Sequence, residues 1–295
     1  MTLKVTILGC GSSGGVPRPA LGWGDCDPKN PKNRRRRTSL LVERHPYPIP
    51  PPQAGEGWEG VTRVLVDTPP DLREQLLDAN VDGLDGVLYT HEHADHTHGI
   101  DDLRAFFIKR RQLVDVYFDE LNAKMMHTRF GYCFKSPSGS EYPPILREHR
   151  LTAGRPVTIN GQGGPIVALP ILQEHGDIPS LGFRFGNFVY SCDLSGLPAE
   201  SVAALAGLDV WIVDALRYRQ HPSHFSVADA LRWIERVKPR RAILTNLHAD
   251  LDYETLRKEL PPHVEPAYDG MTFSVPETAI PQGLIENRRR YTSHT

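Results

Sequence analysis

The sequence predicts an α/β fold, a single domain over residues 1–295 with two packed sheets and helices outside them. Three observations point to it. Short runs rich in Val, Ile and Leu alternate with helix-length periodic segments along the whole chain. These runs fall into two halves, and several of them end in histidine or aspartate, as in Val87-Leu88-Tyr89-Thr90-His91 and Tyr190-Ser191-Cys192-Asp193. The composition, 39% hydrophobic and 24% charged over 295 residues, is that of a globular chain able to bury a large core.

The same composition excludes several classes. No apolar stretch approaches membrane-spanning length, and the start MTLKVTILGCG enters a strand without a basic region or cleavage site. An untargeted cytoplasmic protein with no membrane partner is therefore expected. Four cysteines (Cys10, Cys26, Cys133, Cys192) are too few and too scattered for a disulfide framework. A formal net charge of −2 argues against long nucleic acid as the main partner and leaves a small phosphate ester open.

Leu3 to Gly9 alternates and is β-rich, so it forms the first strand. Gly11-Ser12-Ser13-Gly14-Gly15 is a tight turn whose backbone N–H groups can face an anion. It lacks the Gly-Lys-Ser/Thr of a P-loop and the glycine spacing of a dinucleotide fingerprint. Residues 16–37 are irregular and end in Arg34 to Arg37, a run expected to be solvated surface from which a substrate phosphate can recruit one residue. Thr38 to Arg44 and Val61 to Asp67 read as paired strands, joined by a long proline- and glycine-rich hairpin loop at 46–60. Asp71 to Asn80 reads as a helix with Leu72, Leu76 and Leu77 on one face.

The run from Gly86 then delivers His91, His93, Asp95 and His96 within six residues, before a helical segment near Gly99. In a core, each of these groups would need its own polar partner. As ligands of two adjacent cations they fit: His91 and His93 point the same way as an i, i+2 pair, and the turn through Ala94 redirects Asp95 and His96. HxHxDH after a strand resembles the motif of the metallo-β-lactamase superfamily. The resemblance covers nearly the whole chain and is closest to the branch of phosphoribosyl 1,2-cyclic phosphate phosphodiesterases, with RNase Z as a more distant relative. It implies a four-layer αββα sandwich with a dinuclear site of two divalent metal ions, zinc or manganese, at one edge of the two sheets.

The resemblance also implies roles along the chain. The Gly11–Gly15 loop would approach the rim of the site. Asp67, ending LVD, would hydrogen-bond beneath the metal loop. Relatives carry three closely spaced cysteines in the loop that here keeps only Cys26; Trp23, Asp25 and Asp27 cannot rebuild a thiolate-rich site, so no structural zinc is expected there. An insertion at about 119–164 would supply the substrate-side wall, with Tyr132, Phe134 and Tyr142 as stacking candidates. His98 would touch the site or act as a cap. His175, after the strand IVALPIL, corresponds to the third histidine of the first metal, and Asp193 to the carboxylate bridging both. His224, just before the Ser226-x-x-Asp229 capping box, matches the catalytic histidine. His221, Ser223 and Arg217 lie at the same mouth as substrate contacts. Relatives carry Thr-His where this chain has Thr245-Asn246. An amide is a weak ligand beside imidazole, so His248 is expected to complete the second metal site. The C-terminal RRRYTSHT is expected to fray.

The expected ligand sets are thus His91, His93 and His175 for one metal and Asp95, His96 and His248 for the other, with Asp193 shared. Two close cations lower the pKa of a shared water, giving a hydroxide that attacks phosphorus, and His224 protonates the leaving alkoxide. The expected activity is hydrolysis of a small phosphodiester, cyclic or nucleotide-like. The alternatives are a phosphodiesterase on RNA ends or oligonucleotides, a thioester or lactam hydrolase, and a non-catalytic metal-dependent nucleotide-binding protein. A homodimer is compatible with the sequence.

Overall fold

The computed structural model of the chain describes residues 2–46 and 60–281. Most of the expected hairpin loop at 46–60, and the expected fraying at 288–295, lie outside the described residues. From the first half of the chain come β1 (Thr2–Gly9), β2 (Ser39–Arg44), β3 (Thr62–Val66), β4 (Gly86–Leu88), β5 (Val114–Phe118) and β6 (Leu146–Arg150). From the second come β7 (Val157–Ile159), β8 (Ile166–His175), β9 (Ile178–Phe185), β10 (Phe188–Ser191), β11 (Val210–Asp214), β12 (Arg241–Thr245), β13 (Val264–Pro266) and β14 (Met271–Pro276). They form two seven-stranded sheets, ordered β14-β1-β2-β3-β4-β5-β6 and β13-β12-β11-β10-β9-β8-β7. Each sheet is part antiparallel, through its hairpins, and part parallel, through crossovers: β3-β4-β5-β6 in the first and β10-β11-β12-β13 in the second.

Alternation along the strands builds the layers. Leu40 and Val42 of β2 and Val64 and Val66 of β3 face inward, against Phe183, Phe185, Tyr190, Ile212 and Ile243 of the other sheet. The intervening Leu41 and Leu65 face outward beneath α1 (Leu72–Asp78), α2 (Ala94–Thr97), α3 (Arg104–Arg110) and α4 (Glu120–Phe134). On the far side Trp211 and Val213 lie under α5 (Ala199–Val202), α6 (Val227–Val237) and α7 (Tyr253–Glu259). The result is the four-layer αββα order. Burying each such Val, Leu, Ile or Phe side chain contributes roughly 1.5–3 kcal/mol, and the Trp211 indole N–H is satisfied by Ser191 Oγ at 3.1 Å.

Several expectations need correction. Leu77 is 56% exposed, because it lies about 140° around the helix from Leu72; Gln75 is buried with Leu72 and Leu76 instead. After His175 the chain returns as β9 and turns at Gly186, with φ 58°, into β10. The segment 119–164 contributes no residue to the lining of the cavity at the sheet edge. It supplies α4 on the outer layer and the edge strands β6 and β7, and the charged side chains of β6 (LREHR) blunt an open edge. The arginine run is not all solvated: Arg35 is 2% exposed, while Arg36 and Arg37 pair with Asp269 and Asp71. Among the described residues no helix is long and apolar enough to cross a membrane.

Candidate metal centre

The C-terminal ends of β3, β4, β10, β11 and β12 converge on one edge of the sandwich, where open α/β sheets commonly place ligands. Each of these ends carries a polar residue of the site. Asp67 follows β3, Asp193 follows β10 and Asn246 follows β12, with φ of 63°, 55° and 61°. Asp and Asn are among the few side chains that tolerate this left-handed region. The turns lift their functional groups out of the sheet plane.

Four imidazoles surround Asp193. Its Oδ2 lies 3.6 Å from His91 Nε2, 3.4 Å from His96 Nε2 and 3.5 Å from His175 Nε2, and His93 Nδ1 is 3.3 Å from His175 Nε2. The donor atoms of His91, His93, His175 and Asp193 all lie within 4.8 Å of one another. Three of the rings are oriented from behind through Nδ1. His96 donates to Asp67 Oδ2 at 2.8 Å and His175 to the Ser223 carbonyl at 2.6 Å. His91 donates to Thr90 Oγ1 at 3.0 Å, and that hydroxyl donates onward to Asp67 at 2.8 Å. Each ring thereby presents Nε2 forward, the arrangement that fixes metal-binding tautomers.

The residues fit divalent cations. Among the described residues His91 Nε2 and His96 Nε2 are fully buried polar atoms without a hydrogen-bond partner, which in a folded protein calls for a ligand. Burial, with His96 next, pushes the His91 imidazole well below its ordinary value, so it stays neutral with a lone pair to offer. Burial would raise Asp193, but His96 and the other imidazoles hold it well below the usual carboxylate range. For His96, burial works against its charge, and the Asp193, Asp95 and Asp67 carboxylates more than offset that. Its forward nitrogen faces the Asp193 and Asp95 carboxylates, which would attract a cation there. Asp95, 3.5 Å from His96 Nε2, adds a second anionic oxygen.

The second half of the site is a cavity of about 370 Å³ lined by Ser12, Ser13, Arg18, His93, Asp95, His175, Asp193, Leu216, Arg217, His221, Ser223, His224, Asn246 and His248. A larger depression of about 750 Å³ lies elsewhere, at the opposite ends of β3 and β4, and its Arg63, Lys109 and Arg110 are already paired with Asp82 and Asp85. The smaller cavity holds the chemistry. His224 Nδ1 donates to Asp214 Oδ2 at 2.9 Å, leaving Nε2 for a ligand. Burial opposes charge on His224, yet the Asp214 carboxylate raises it to about 9. Asp214 itself is raised by its complete burial, against the pull of His224.

The structure brings His91, His93, Asp95, His96, His175, Asp193, His224, His221, Ser223, Arg217 and His248 to one place. It does not bring Tyr132, which is 44% exposed near the C-terminal end of α4 and lines no part of the cavity. His98 is exposed and packs edge-on against Phe130, 5.5 Å between ring centroids. Cys26 is buried among Val16, Trp23 and Ala249, with its thiol directed at the Ala249 and Leu251 carbonyls. The sequence reading missed Asp214. Its signal was available, since VWIVD ends in aspartate as LVD does at Asp67.

Where this chain has Thr245-Asn246 in place of the relatives' Thr-His, the backbone does turn after Thr245. Asn246 has positive φ and Leu247 is fully buried. The Asn246 amide is committed as a donor to Asp193 Oδ1 at 2.9 Å and Asp214 Oδ1 at 3.2 Å. His248 lines the cavity and donates through Nδ1 to Asp250 at 2.8 Å, leaving Nε2 free to ligate. Metal titration of His248→Ala is therefore expected to keep one tight site and weaken the other, with hydrolysis largely lost. Asn246→Ala should keep both ions and shift only stability, by about 1–3 kcal/mol for unpaired buried carboxylate oxygens. The reverse pattern would return the ligand position to Asn246.

The comparisons with known proteins agree with this geometry. The model of the β-lactamase superfamily domain matches residues 62–246. The crystal structure of a new diphosphatase from the PhnP family is 30% identical, with a TM-score of 0.80 over 93% of this chain and 98% of that one. Human short-form tRNase Z (ELAC1), 18% identical, shares the fold with a TM-score of 0.57 over 92% of this chain and 99% of its own. An octanoyltransferase of Porphyromonas gingivalis is 31% identical over 283 residues, 94% of this chain, and the chain spans about half of its length (53%). With the αββα sandwich and the histidine/aspartate cluster at its edge, the chain belongs to the metallo-β-lactamase superfamily, in its PhnP-like branch, and is a metal-dependent hydrolase.

Proposed function

We propose that the protein hydrolyses small phosphodiesters, cyclic or nucleotide-like, using two zinc or manganese ions. The observation that carries this reading is the juxtaposition, at one cavity, of a cation-ready histidine/aspartate cluster and a carboxylate-held imidazole, His224 with Asp214. His91, His93 and His175 would hold one ion, Asp95, His96 and His248 the other, and Asp193 would serve both. Bound divalent ions supply Lewis acidity and an ionisable water at neutral pH.

The remaining work falls to the chain. Asp214 fixes the His224 ring and favours its protonated form, so that Nε2 can deliver a proton to a departing alkoxide. Asn246, bonded to both Asp193 and Asp214, holds the ligand and the acid in register. Arg217 and His221 add donors at the mouth. A cavity of about 370 Å³ is near the lower end of the roughly 300–1,000 Å³ usual for small-molecule sites, which favours a small ester over a polymer. The PhnP-family diphosphatase also points to phosphorus as the electrophile. Acyl transfer, the activity named for the octanoyltransferase, is not favoured: the cavity lining contains no cysteine or lysine, and Cys192 is fully buried with its thiol pushed well up by burial.

The test is one panel with metal-loaded protein: five-membered cyclic phosphates, bis(p-nitrophenyl) phosphate, dinucleotides, thioesters and a cephalosporin, with products identified by mass. The cyclic phosphates and the nitrophenyl diester should be opened to monoesters fastest. Faster turnover of a thioester or the cephalosporin would overturn the reading, and preference for dinucleotides would move it to RNA ends.

A further inference from the structure

Arg35 is 2% exposed, and among the described residues its guanidinium meets only neutral groups. Nη1 donates to the His248 carbonyl at 3.2 Å and to the Cys26 sulfur at 3.8 Å. Nη2 donates to the Leu251 carbonyl at 2.7 Å and to Asn33 Oδ1 at 3.3 Å. Burying a cation away from any carboxylate is costly, and hydrogen bonds to neutral groups offset only part of that. An apolar side chain could fill the space without the cost, but it could not grip two carbonyls.

The fork grips the turn that carries His248. The His96 and His175 rings are oriented by groups on distant elements, Asp67 and the Ser223 carbonyl. His248 is oriented by Asp250, two residues on in its own turn, at 2.8 Å. That bond travels with the turn, so it fixes the ring relative to the turn and not relative to the cluster. Other contacts set where the turn lies. On one side the His248 N–H donates to the Leu216 carbonyl at 2.9 Å. On the other, beside Arg35, the Asp25 N–H donates to the Ala249 carbonyl at 2.8 Å, and the Cys26 thiol faces the Ala249 and Leu251 carbonyls. Gly24, with φ 60°, permits this approach: a Cβ there would stand 2.4 Å from the Ala249 oxygen. Asn33 ties the following residues, accepting from the Tyr253 N–H at 2.8 Å and donating to Asp252 at 2.6 Å. Arg35 itself is anchored by two backbone bonds exchanged with Val16. Its planar fork then spans the turn, from the carbonyl at 248 to that at 251.

We propose that Arg35 is a positioning residue for the second metal site: by holding the His248 and Leu251 carbonyls, its guanidinium sets the turn that presents His248 Nε2 to the cation. This rests on the two-ion reading, in which His248 completes the second ligand set. Arg35 lines no part of the cavity, so it acts through the turn and not on the substrate. Lysine is a poor substitute, because its ammonium is a point charge on a flexible stem and lacks the fork that matches the pair of carbonyls.

Calorimetric titration of the metal-free protein with zinc reads the two ions separately. Arg35→Ala should leave the tighter ion's Kd unchanged and weaken the other by roughly 10- to 100-fold, the usual worth of a group that orients a metal ligand. Added guanidinium, below denaturing concentrations, should restore part of that affinity by occupying the vacated space, and urea at the same concentration should not. His248→Ala should weaken the same ion, and combining it with Arg35→Ala should cause no further loss, since residues acting through one another are not additive. A cooperative melt of each metal-free variant shows that it is folded. If Arg35→Ala is not, Arg35→Lys takes its place in the same cycle, with a smaller selective loss expected. Equal weakening of both ions, an unchanged second ion, or losses that add in the double variant would overturn the proposal. If His248→Ala itself keeps both ions, the ligand assignment fails and the positioning role falls with it. If His248→Ala loses the second ion and neither Arg35 variant weakens it, the ligand assignment stands and the positioning role alone falls.

Discussion

Asp193→Asn is expected to leave the purified protein with few or no tightly held cations and to lower kcat/KM on phosphodiesters by roughly 10³-fold or more. The size follows from the several kcal/mol that Lewis-acid stabilisation supplies, at about 1.4 kcal/mol per factor of ten. Asp193 Oδ2 stands within 3.6 Å of three imidazole Nε2 atoms, which places this carboxylate where it would serve both proposed ions. Asparagine is the right replacement because residue 193 sits at φ 55°; alanine would add backbone strain to the loss of charge. Asparagine can keep the bond from the Asn246 amide through its own carbonyl oxygen, which turns its NH₂ toward the imidazoles and repels a cation. Metal analysis reads the first outcome. Melting with and without added zinc or manganese reads the second: a ligand at 100 times its Kd adds about 2.7 kcal/mol to the folded state, and the variant should lose most of that rise. Unchanged occupancy and an unchanged rise would remove Asp193 from the shared position.

Much of the molecule was legible because its signals are local. Apolar runs such as VWIV and IVALPIL announce strands by themselves, and Ser226-x-x-Asp229 formed the expected capping box at the start of α6. The run from His91 to His96 is informative because four polar ligand types at a strand end have few other uses. What stayed hidden depends on distant partners. Arg35 looks like one of four solvated arginines until carbonyls at 248 and 251 come to meet it. Asp214 gains its role from His224, ten residues on, and from Asn246, thirty-two residues on. Tyr132 was placed near substrate by analogy with relatives, but the segment around it closes sheet edges here. The Gly11–Gly15 loop was placed at the rim by resemblance, but Arg18 beyond it shows no sign of lining the cavity until the Leu247 turn is folded against the loop.

His224→Ala should slow hydrolysis of an alkyl phosphodiester by about 10²–10⁴-fold, the usual worth of general acid catalysis, and slow a p-nitrophenyl diester far less. An alkoxide is a poor leaving group that needs a proton as it departs, whereas nitrophenolate leaves without one. The imidazole is built to hold that proton, since its Nδ1 is tied to buried Asp214 at 2.9 Å and the carboxylate raises the ring to about 9 despite its burial. Asp214→Asn should act in the same direction, because an amide neither stabilises the imidazolium nor fixes the ring as firmly. Its defect should also be larger on the alkyl ester than on the nitrophenyl one. Metal content should remain at the wild-type level in His224→Ala, since the ring is not in the set that surrounds Asp193 Oδ2. Rates on a series of esters graded by leaving-group pKa make the check quantitative: the variant's plot should be steeper than the wild type's. Parallel plots, with equal losses on every ester, would instead make His224 a phosphate-binding residue and leave the leaving group to be protonated by another donor.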